Sequence, residues 1–398
     1  MKKRVFITVQ KIIDQGGIST SILNLLNEIH EIYDVTLCSI EDYISPNVAI
    51  PKDVKIVRGS SLIGDAVLNR QLLTYQNPFR KLKRAFTRFV RRRRGMAYIV
   101  NKGLHQIQVP NVEYDAAVAF SGDLYVNGKL MEGGEYEFVA NYVKTNRKVA
   151  WVHNDIRKEG YTHEIALKSF RSFDAIVTVS YDNKALVEEM VPEYKDKVLV
   201  VYNTYNINNI IEKSRASVTP YENNGKLHFV TVARLSLDQK RQDRIIEACG
   251  LLKKEGFANF DWYLVGGGDI ETLKKMAEKH DVMDIVHFEG LQPNPYPYMQ
   301  NADAFVLTSL YEGYGMTIKE AQILGCPTLV TNFGPAHEAV EDGKQGFICD
   351  NSTEGVYNMI KEVLQHQETL NEYRIYLKEH PVNNDLAINQ FREACGLN

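Results

Sequence analysis

Short apolar runs alternate along the chain with longer segments whose apolar residues recur every three or four positions. The runs, such as RVFITV at 4–9 and AFVLTS at 304–309, have the length and composition of buried strands. The segments between them, such as ISTSILNLLNEIH at 18–30, are typical of amphipathic helices. This alternation occurs before and again after a polar stretch at 203–226. The pattern therefore predicts two α/β domains, each with a mainly parallel, doubly wound sheet.

The polar stretch gives the predicted division of the chain. The first domain is predicted to span residues 1–205, and residues 206–381 are predicted to hold the linker and the second domain. Residues 382–398 carry a further helical pattern. Two such domains facing each other would leave a cleft, and ligands bind beyond the carboxyl ends of the strands in sheets of this kind.

Composition narrows the class of protein. Of the 398 residues, 44% are hydrophobic and 24% charged, as in ordinary soluble proteins. The five cysteines are scattered without metal-ligand spacing, which favours buried thiols in a reducing compartment. The opening MKKRVFITVQ has too few apolar residues for a signal peptide, and no apolar run has transmembrane length. We therefore expect a soluble protein, attached at most to a membrane surface.

Charge is concentrated in one segment. Residues 66–112 hold eleven Arg and Lys but no Asp or Glu. Within it, Asn77 is a predicted N-cap, Pro78 the first helical residue, and Phe79, Leu82 and Phe86 begin an apolar stripe opposite a cationic face. Such helices lie on anionic lipid surfaces, each basic side chain contributing about 1 kcal/mol. The predicted membrane contacts are Arg84, Arg88, Arg91, Arg92, Arg93 and Arg94.

Two other interpretations of this helix remain. In the first, it is a solvated surface helix whose phenylalanines pack on the core of the first domain. In the second it binds nucleic acid, which is the weakest interpretation because the rest of the chain is acidic and carries no nucleic-acid motif.

The stretch YEGYGMTIKEAQILGCP at 311–327 carries the candidate chemistry. Glu312 directly follows an apolar strand, and Gly313 and Gly315 predict a loop before a helix that begins near Met316. Free N–H groups at a helix start bind phosphate, whereas carboxylates such as Glu312 and Glu320 accept hydrogen bonds from vicinal hydroxyls. The combination indicates a ligand with phosphate between two polyols.

Further polar residues follow other strands. Arg234 and Lys240 could bind a diphosphate, and Gly16-Gly17 could approach a phosphate or sugar, although each pattern also fits ordinary surface loops. His153 leaves the apolar strand in VAWVHNDI. Glycoside hydrolysis by the two glutamates would leave Arg234 and Lys240 unexplained. No DxD, P-loop or G-x-S-x-G motif occurs, so we expect no bound metal.

These residues resemble the retaining GT-B glycosyltransferases of family GT4. Glu312-x7-Glu320 looks like that family's E-x7-E signature, and the resemblance extends over essentially the whole chain, most specifically in its second half. It implies two Rossmann-like domains facing across a cleft, and metal-independent, cofactor-free transfer from a nucleotide-diphosphate sugar, a UDP-sugar, with retention. Arg241 stands where the family has a glycine, and Lys240 lies one residue late, so either could meet the diphosphate. The implied roles are diphosphate binding by Arg234 with Lys240 or Arg241, sugar binding by His153 and Glu312, ribose binding by Glu320, and backbone contacts by Gly16, Gly17, Gly315, Met316 and Thr317.

The resemblance also implies the partners. The first domain would bind the acceptor, and residues 382–398 would cross back to it. AWVHNDI at 150–156 looks like enzymes of surface-polysaccharide assembly, which implies a lipid-linked saccharide acceptor in capsule, exopolysaccharide or teichoic-acid synthesis. The protein would then be cytoplasmic and peripheral at the inner face of the cell membrane.

Three alternative functions differ in what they require. A nucleotide-sugar epimerase of the same shape would release no free nucleotide. A phosphorylase-like enzyme would need inorganic phosphate or a cofactor lysine, for which no motif exists. A non-catalytic membrane-surface adaptor would have no reason to keep Glu312, Glu320, Arg234 and His153 at strand ends.

Overall fold

The structure is a computed structural model, and its helices and strands follow the predicted alternation closely. The structure describes residues 2–14, 16–68, 78–216, 220–222 and 224–398. Asn77, predicted as the N-cap of the basic helix, lies outside these ranges.

The chain forms two compact units, the first made of Met1–Tyr205 and Asn384–Asn398 and the second of Asn206–Asn383. The strands of the first unit are β1 (Arg4–Val9), β2 (Asp34–Ser39), β3 (Lys55–Val57), β4 (Ala116–Ala119), β5 (Leu124–Val126), β6 (Lys129–Glu132), β7 (Lys148–Val152), β8 (Ala175–Thr178) and β9 (Val198–Val200). Seven of them form a parallel sheet in the order β3-β2-β1-β4-β7-β8-β9. The order reverses between β1 and β4, which makes the crevice above them the expected ligand site.

Helices cover the first sheet, and one antiparallel hairpin departs from the prediction. The hairpin pairs β5 with β6, whose short and partly exposed strands carry no continuous apolar run. The helices of this part of the chain are α1 (Gly17–Ile29), α2 (Ser61–Val67), α3 (Pro78–Arg94), α4 (Met96–Leu104), α5 (Glu135–Tyr142), α6 (His163–Phe170) and α7 (Tyr181–Met190).

The second unit repeats the architecture. Its strands are β10 (Leu227–Val232), β11 (Phe260–Val265), β12 (Val286–Gly290), β13 (Ala304–Leu307), β14 (Thr328–Thr331) and β15 (Gly346–Cys349). They form a parallel sheet in the order β12-β11-β10-β13-β14-β15, which reverses between β10 and β13. Strands such as β13 are buried along their whole length, as expected for parallel sheets covered on both faces.

Helices also cover the second sheet. The segment predicted as a linker contains a helix, α8, although residues 217–219 and 223 within it lie outside the described part of the chain. The helices are α8 (Ile207–Ser214), α9 (Asp243–Lys254), α10 (Ile270–Lys279), α11 (Tyr296–Asn301), α12 (Met316–Ile323), α13 (Ala336–Ala339), α14 (Thr353–Gln365) and α15 (Glu368–Glu379). Asp269 caps α10 by accepting a hydrogen bond from the Thr272 amide, so the preceding glycine run is a structural turn.

The last helix, α16 (Asp385–Cys395), belongs to the first unit. The ring of Phe391 lies 6.4 Å from the rings of both Tyr33 and Trp151. The Arg147 guanidinium donates to the Ala394 carbonyl over 2.6 Å. Both kinds of contact join α16 to the body of the first unit.

Helix α3 packs on the protein through arginines of its cationic face. Arg84 is only 7% exposed and donates to the Leu68 carbonyl. Arg88 donates to the same carbonyl over 2.8 Å, and Arg91 donates to the Ala66 carbonyl over 2.8 Å. Backbone carbonyls hold these three arginines against the protein, with Arg84 buried and Arg88 and Arg91 half-buried, and their contact with a membrane stays a prediction.

The apolar stripe of α3 faces outward instead of packing on the core. Phe79 is 80% exposed, Leu82 71%, Phe86 66% and Phe89 53%. Arg92, Arg93 and Arg94 are also exposed. Exposed apolar side chains contiguous along one helix face mark an interaction surface. Within the described residues, no helix combines the length and the hydrophobicity needed to cross a bilayer.

Candidate functional site

Two loops meet at the reversal point of the second sheet. One follows β10 and carries Arg234 and Lys240, and the other follows β13 and carries Ser309 and Glu312. The Lys240 ammonium lies 2.5 Å from a carboxylate oxygen of Glu312, and the Ser309 hydroxyl donates to the same oxygen over 2.5 Å. The structure therefore brings the predicted cation and the first glutamate of the signature together.

Hydrogen bonds lock these loops against each other. The Thr308 hydroxyl donates to the backbone carbonyl of Lys240 over 3.0 Å. The Leu310 amide donates to the Gln239 carbonyl over 2.7 Å, and the Gln239 side chain accepts from the Arg234 guanidinium over 3.1 Å. Because both loops are fixed, Arg234 and Lys240 are held ready before any ligand enters, which is the condition for effective electrostatic stabilisation.

Gln242 forms hydrogen bonds with the backbone of the loop that follows β10. It is fully buried, its side-chain amide donates to the Arg234 carbonyl over 3.1 Å, and its side-chain oxygen accepts from the Ser236 amide over 3.0 Å. Sequence analysis missed Gln239 and Gln242, since a glutamine in a polar loop carries no pattern that separates it from a solvated residue.

Arg241 is paired with a nearby carboxylate, that of Asp243. Its guanidinium forms a bidentate ion pair with Asp243, with contacts of 3.0 and 2.7 Å. Its φ of 53° lies in the left-handed region, which glycine adopts without steric cost. Of the two candidate cations, Lys240 is thus the one that lies beside Glu312, and Arg241 is already paired with Asp243, the first residue of α9.

Helix α12 begins where the sequence predicted, at Met316. Gly315 precedes it with φ 80°, and a Cβ there would lie 2.9 Å from Ile318 Cδ1. A glycine is therefore required by both conformation and space. The first turn, which includes Met316 and Thr317, presents backbone N–H groups that have no partner within the helix, so this end attracts anions.

Glu320 lies one turn further along α12 and is 7% exposed. Burial raises the pKa of its carboxyl to about 7, against an opposing hydrogen bond from Tyr296. A carboxylate kept away from water, with Tyr296 as its hydrogen-bond partner, can accept hydrogen bonds from ligand hydroxyls without first losing a full hydration shell. Tyr296 was not anticipated, because nothing in the sequence links it to Glu320.

A cavity of about 310 Å³ lies at the reversal point of the first sheet. Gly16 and Gly17, at the start of α1, form part of its wall, and His153, directly after β7, forms another part. A Cβ added at Gly17 would meet nothing within 4 Å, so protein packing does not require glycine there. The structure thus brings these three predicted residues together in the first unit.

His153 is neutral in this setting. Burial lowers the pKa of its ring to about 4, and a hydrogen bond to the Phe120 backbone opposes the shift only partly. A bond that favours the protonated ring must run from a ring N–H to a carbonyl, so the neutral ring offers its other nitrogen as an acceptor. His153 can accept a hydroxyl proton in a hydrogen bond but cannot serve as a cation near neutral pH.

Charged residues also surround the cavity. Lys11 forms ion pairs with Glu132 and with Glu41, the latter at 3.4 Å. Asp123 and Glu159 are the other carboxylates of the lining, and burial raises the pKa of both, that of Asp123 to about 6. Within the described residues, no group of three His, Cys, Asp or Glu side chains is arranged to hold a metal ion.

A family model matches a segment of the second unit, and curated relatives match about half of the chain. Residues 211–380 match the family model described as glycosyl transferases group 1. The chain is 26% identical over 202 residues to an uncharacterized glycosyltransferase of Methanocaldococcus jannaschii, covering 48% of this chain and 49% of that protein. It is 25% identical over 228 residues to the poly(ribitol-phosphate) alpha-N-acetylglucosaminyltransferase of Staphylococcus aureus, which covers 54% of this chain and 44% of that protein. The chain spans about half the length of these curated relatives.

Similarity to solved structures extends over the whole chain. HepE of Anabaena, crystallised in complex with UDP and glucose, superposes with a TM-score of 0.66 over 99% of this chain and 98% of that chain, at 14% identity. At that identity the likeness concerns the fold. The chain has the GT-B fold, with two Rossmann-like domains, and this prediction is confirmed.

Proposed function

We propose that this chain is a retaining glycosyltransferase that moves a sugar from a UDP-sugar to a lipid-linked saccharide during surface-polysaccharide assembly. One observation carries the proposal: Lys240, Glu312 and the start of α12 meet at the reversal point of a sheet whose sequence matches glycosyl transferases group 1. The solved complex of HepE with UDP and glucose supports the choice of donor.

Positively charged groups and backbone N–H groups would bind the diphosphate of the donor, and hydrogen-bond acceptors would bind its hydroxyl groups. Arg234, Lys240 and the N–H groups of Gly315, Met316 and Thr317 would bind the diphosphate. Glu320 would accept hydrogen bonds from the ribose, and Glu312 would bind hydroxyls of the donor sugar. His153, in the first unit, would accept a hydrogen bond from a sugar hydroxyl. Arg241, which is paired with Asp243, would act on the diphosphate through its electrostatic field and would not contact it directly.

The reaction requires stabilisation of charge on the departing diphosphate. The bond between the sugar C1 and the diphosphate oxygen breaks, and its electron pair stays on the diphosphate. The acceptor hydroxyl attacks C1 from the same face, and its proton passes to the leaving diphosphate. The products are a glycoside of retained configuration and UDP. Fixed cations that meet this developing charge lower the barrier without help from a metal or a cofactor.

A donor panel tests the proposal. Calorimetry should detect binding of a UDP-sugar to the full chain, and incubation with membrane extract should release UDP and label a lipid-soluble product. An epimerase would instead return an isomerised nucleotide sugar without free UDP. Absence of binding by every nucleotide sugar in the panel would refute the proposal and leave the adaptor hypothesis.

Membrane attachment would position the acceptor, and α3 supplies the surface for it. The helix presents Leu82, Phe86 and Phe89 together with Arg92 and Arg93 to the outside. An outward apolar stripe flanked by cations fits the headgroup region of an anionic bilayer, as interfacial helices do. The protein would thereby be peripheral at the cytoplasmic face of the cell membrane.

Replacing Phe86 and Phe89 together by serine is expected to weaken binding to anionic vesicles by roughly 100-fold or more. Each buried phenylalanine side chain contributes about 1.5–3 kcal/mol, so the pair accounts for a large part of the affinity. Vesicle co-sedimentation measures the change, and nucleotide-sugar affinity in solution should not change.

Two further variants separate the apolar from the electrostatic contribution. Exchange of Arg92 and Arg93 for glutamine should weaken binding by about 1 kcal/mol for each arginine, and only at low salt. The control replaces Lys254 and Lys275 by glutamine. These two lysines lie in the second unit, outside α3, and their exchange removes the same amount of positive charge. Vesicle binding of the Phe86/Phe89 variant at the level of this control would contradict the assignment of α3.

A further inference from the structure

Glu135 carries a buried carboxyl group that no step described above uses. It is the first residue of α5 and is fully buried, and one of its oxygens, Oε2, accepts three hydrogen bonds. The donors are the Thr8 hydroxyl at 2.9 Å, the Phe120 amide at 3.0 Å and the Ser121 amide at 3.2 Å. Burial raises the pKa of this carboxyl to about 8, which shows that its ionised form is costly to keep. A costly ionisable group beside a candidate site is itself a candidate for a functional role.

One peptide group connects Glu135 to His153. The N–H of this peptide is that of Ser121, which donates to Glu135, and its carbonyl is that of Phe120. The His153 ring donates a hydrogen bond to the Phe120 backbone, and the rings of Phe120 and His153 lie 4.6 Å apart. Within the described residues His153 Nε2 has no hydrogen-bond partner, so the ring donates through Nδ1. A hydrogen-bonded path therefore runs from the Glu135 carboxyl through the peptide to His153 Nδ1.

Such a path transmits the effect of Glu135 to the imidazole. A carboxyl oxygen that accepts from the Ser121 N–H polarises the peptide and makes its carbonyl a stronger acceptor. A strong acceptor at Nδ1 favours the tautomer with the proton on Nδ1 and fixes the orientation of the ring. Nε2 then carries the lone pair. Histidines that bind metals are oriented in the same way, by an acceptor behind the ring.

A purely structural role for Glu135 is the alternative. The carboxyl also joins α5 to β1 through Thr8 and to the end of β4 through Phe120, at the reversal point of the first sheet. Loss of that connection alone would lower the free energy of unfolding without a specific effect on His153. The two roles therefore differ in what happens at the imidazole.

We propose that Glu135 is a positioning residue, which acts through the Phe120–Ser121 peptide and holds His153 with its proton on Nδ1 and its lone pair on Nε2. The inference rests on the proposed function for the use of His153 on a sugar. The state of the imidazole itself is measured without any substrate.

Nitrogen NMR of the full chain labelled with isotope-enriched histidine tests the proposal. The signals of His153 are those that disappear in His153→Gln, and their shifts report which ring nitrogen carries the proton. The ring is neutral far above its pKa of about 4, so we expect a single tautomer protonated at Nδ1. A ring protonated at Nε2 would overturn the proposal.

The spectra are compared at about pH 9, where the Glu135 carboxyl is ionised. Three other titratable groups interact electrostatically with Glu135. Asp123, with a pKa of about 6, is ionised as well, whereas burial raises the pKa values of Tyr136 and Cys38 and keeps both groups neutral. Differences between variants at this pH therefore report the change at position 135.

Glu135→Leu removes the acceptor oxygen. The Nδ1 proton of His153 should exchange with solvent about 10-fold faster or more, because the Phe120 carbonyl is no longer polarised and held. The tautomer protonated at Nε2 should also become populated. An unchanged Nδ1 resonance and exchange rate in the folded variant would overturn the proposal.

Glu135→Gln is the conservative variant and decides the question if Glu135→Leu does not fold. Its amide oxygen can accept the same hydrogen bonds but carries no charge. The proton should stay on Nδ1 and exchange faster than in the unmodified protein, by a factor below about 10. An exchange rate equal to that of the unmodified protein, or a move of the proton to Nε2, would contradict the path through the peptide.

Val139→Ala is the control for a purely structural effect. Val139 is a fully buried residue of α5 outside the hydrogen-bonded path, and its truncation weakens the packing of the same helix. It should lower the free energy of unfolding and leave the tautomer and exchange rate of His153 unchanged. A change at His153 as large as that in the Glu135 variants would show that loosening α5 is sufficient, and the proposal would fail.

The result is independent of the donor panel. If the NMR data are as expected but no nucleotide sugar binds, the transferase proposal fails and the positioning role of Glu135 stands. The reverse outcome defeats only the assignment of Glu135.

Discussion

Substitution of Arg234 by alanine is expected to lower turnover by roughly 100–1000-fold, the typical loss when one preorganised donor to a developing oxyanion is removed. The guanidinium is exposed at the end of β10 and held by Gln239 over 3.1 Å. Since the side chain is exposed, its loss should change the free energy of unfolding by no more than about 0.5 kcal/mol. Steady-state release of UDP, together with thermal unfolding, measures both quantities.

Lys275→Ala is the matched control for this prediction. Lys275 is an exposed cation of α10, in the same unit but outside the two loops. Its loss should leave turnover unchanged. Near-normal turnover in the Arg234 variant, or an equal loss in the Lys275 variant, would show that the charge near β10 does not act on the reaction.

Glu320→Gln is expected to weaken donor binding by roughly 10- to 150-fold and, at the same time, to stabilise the protein at alkaline pH. The first effect follows from loss of charge-assisted hydrogen bonds, each about 1.5–3 kcal/mol. The second follows from burial, which raises the pKa of the Glu320 carboxyl to about 7 from its ordinary value of 4.5. Calorimetry with the UDP-sugar and urea unfolding at two pH values measure the two effects.

The sign of the stability effect is fixed by where the proton is held. Below pH 4.5 the Glu320 carboxyl is protonated in both the folded and the unfolded chain, so its ionisation does not reduce the stability of the fold. Between pH 4.5 and 7 the unfolded chain loses the proton while the folded chain keeps it, so the free energy of unfolding falls as the pH rises. Above pH 7 the loss reaches its full value of about 3 kcal/mol. The variant should therefore gain most at pH 8 and little at pH 5.

Glu271→Gln, at an exposed residue of α10, is the control and should show no such difference between the two pH values. A Glu320 variant with the same gain at pH 5 and pH 8 would contradict the account of its ionisation. Unchanged donor affinity would remove Glu320 from the proposed binding site, whatever the stability data show.

Sequence alone located the loops of the candidate site because buried parallel strands are read directly from uninterrupted apolar runs. Arg234 and Glu312 follow β10 and β13, and the fold makes these strands neighbours although 78 positions separate the two residues. Which side chains pair was not predictable. Lys240 rather than Arg241 lies beside Glu312 because Asp243 engages Arg241, a local contact without a periodic pattern.

Helix α3 shows a different limit of sequence analysis. Periodicity identified its apolar stripe but could not tell which face packs on the protein. The carbonyls of Ala66 and Leu68, which bind Arg84, Arg88 and Arg91, decide the orientation.

The position of α16 along the chain has a consequence for biosynthesis. The segment that completes the first unit leaves the ribosome only after the whole second unit has been translated. Until then the nascent first unit lacks Phe391, which packs near Trp151 and Tyr33, so an apolar surface next to the cavity stays uncovered. We expect chaperones to engage the nascent chain during this interval, and premature termination before α16 to yield a product that is prone to aggregation.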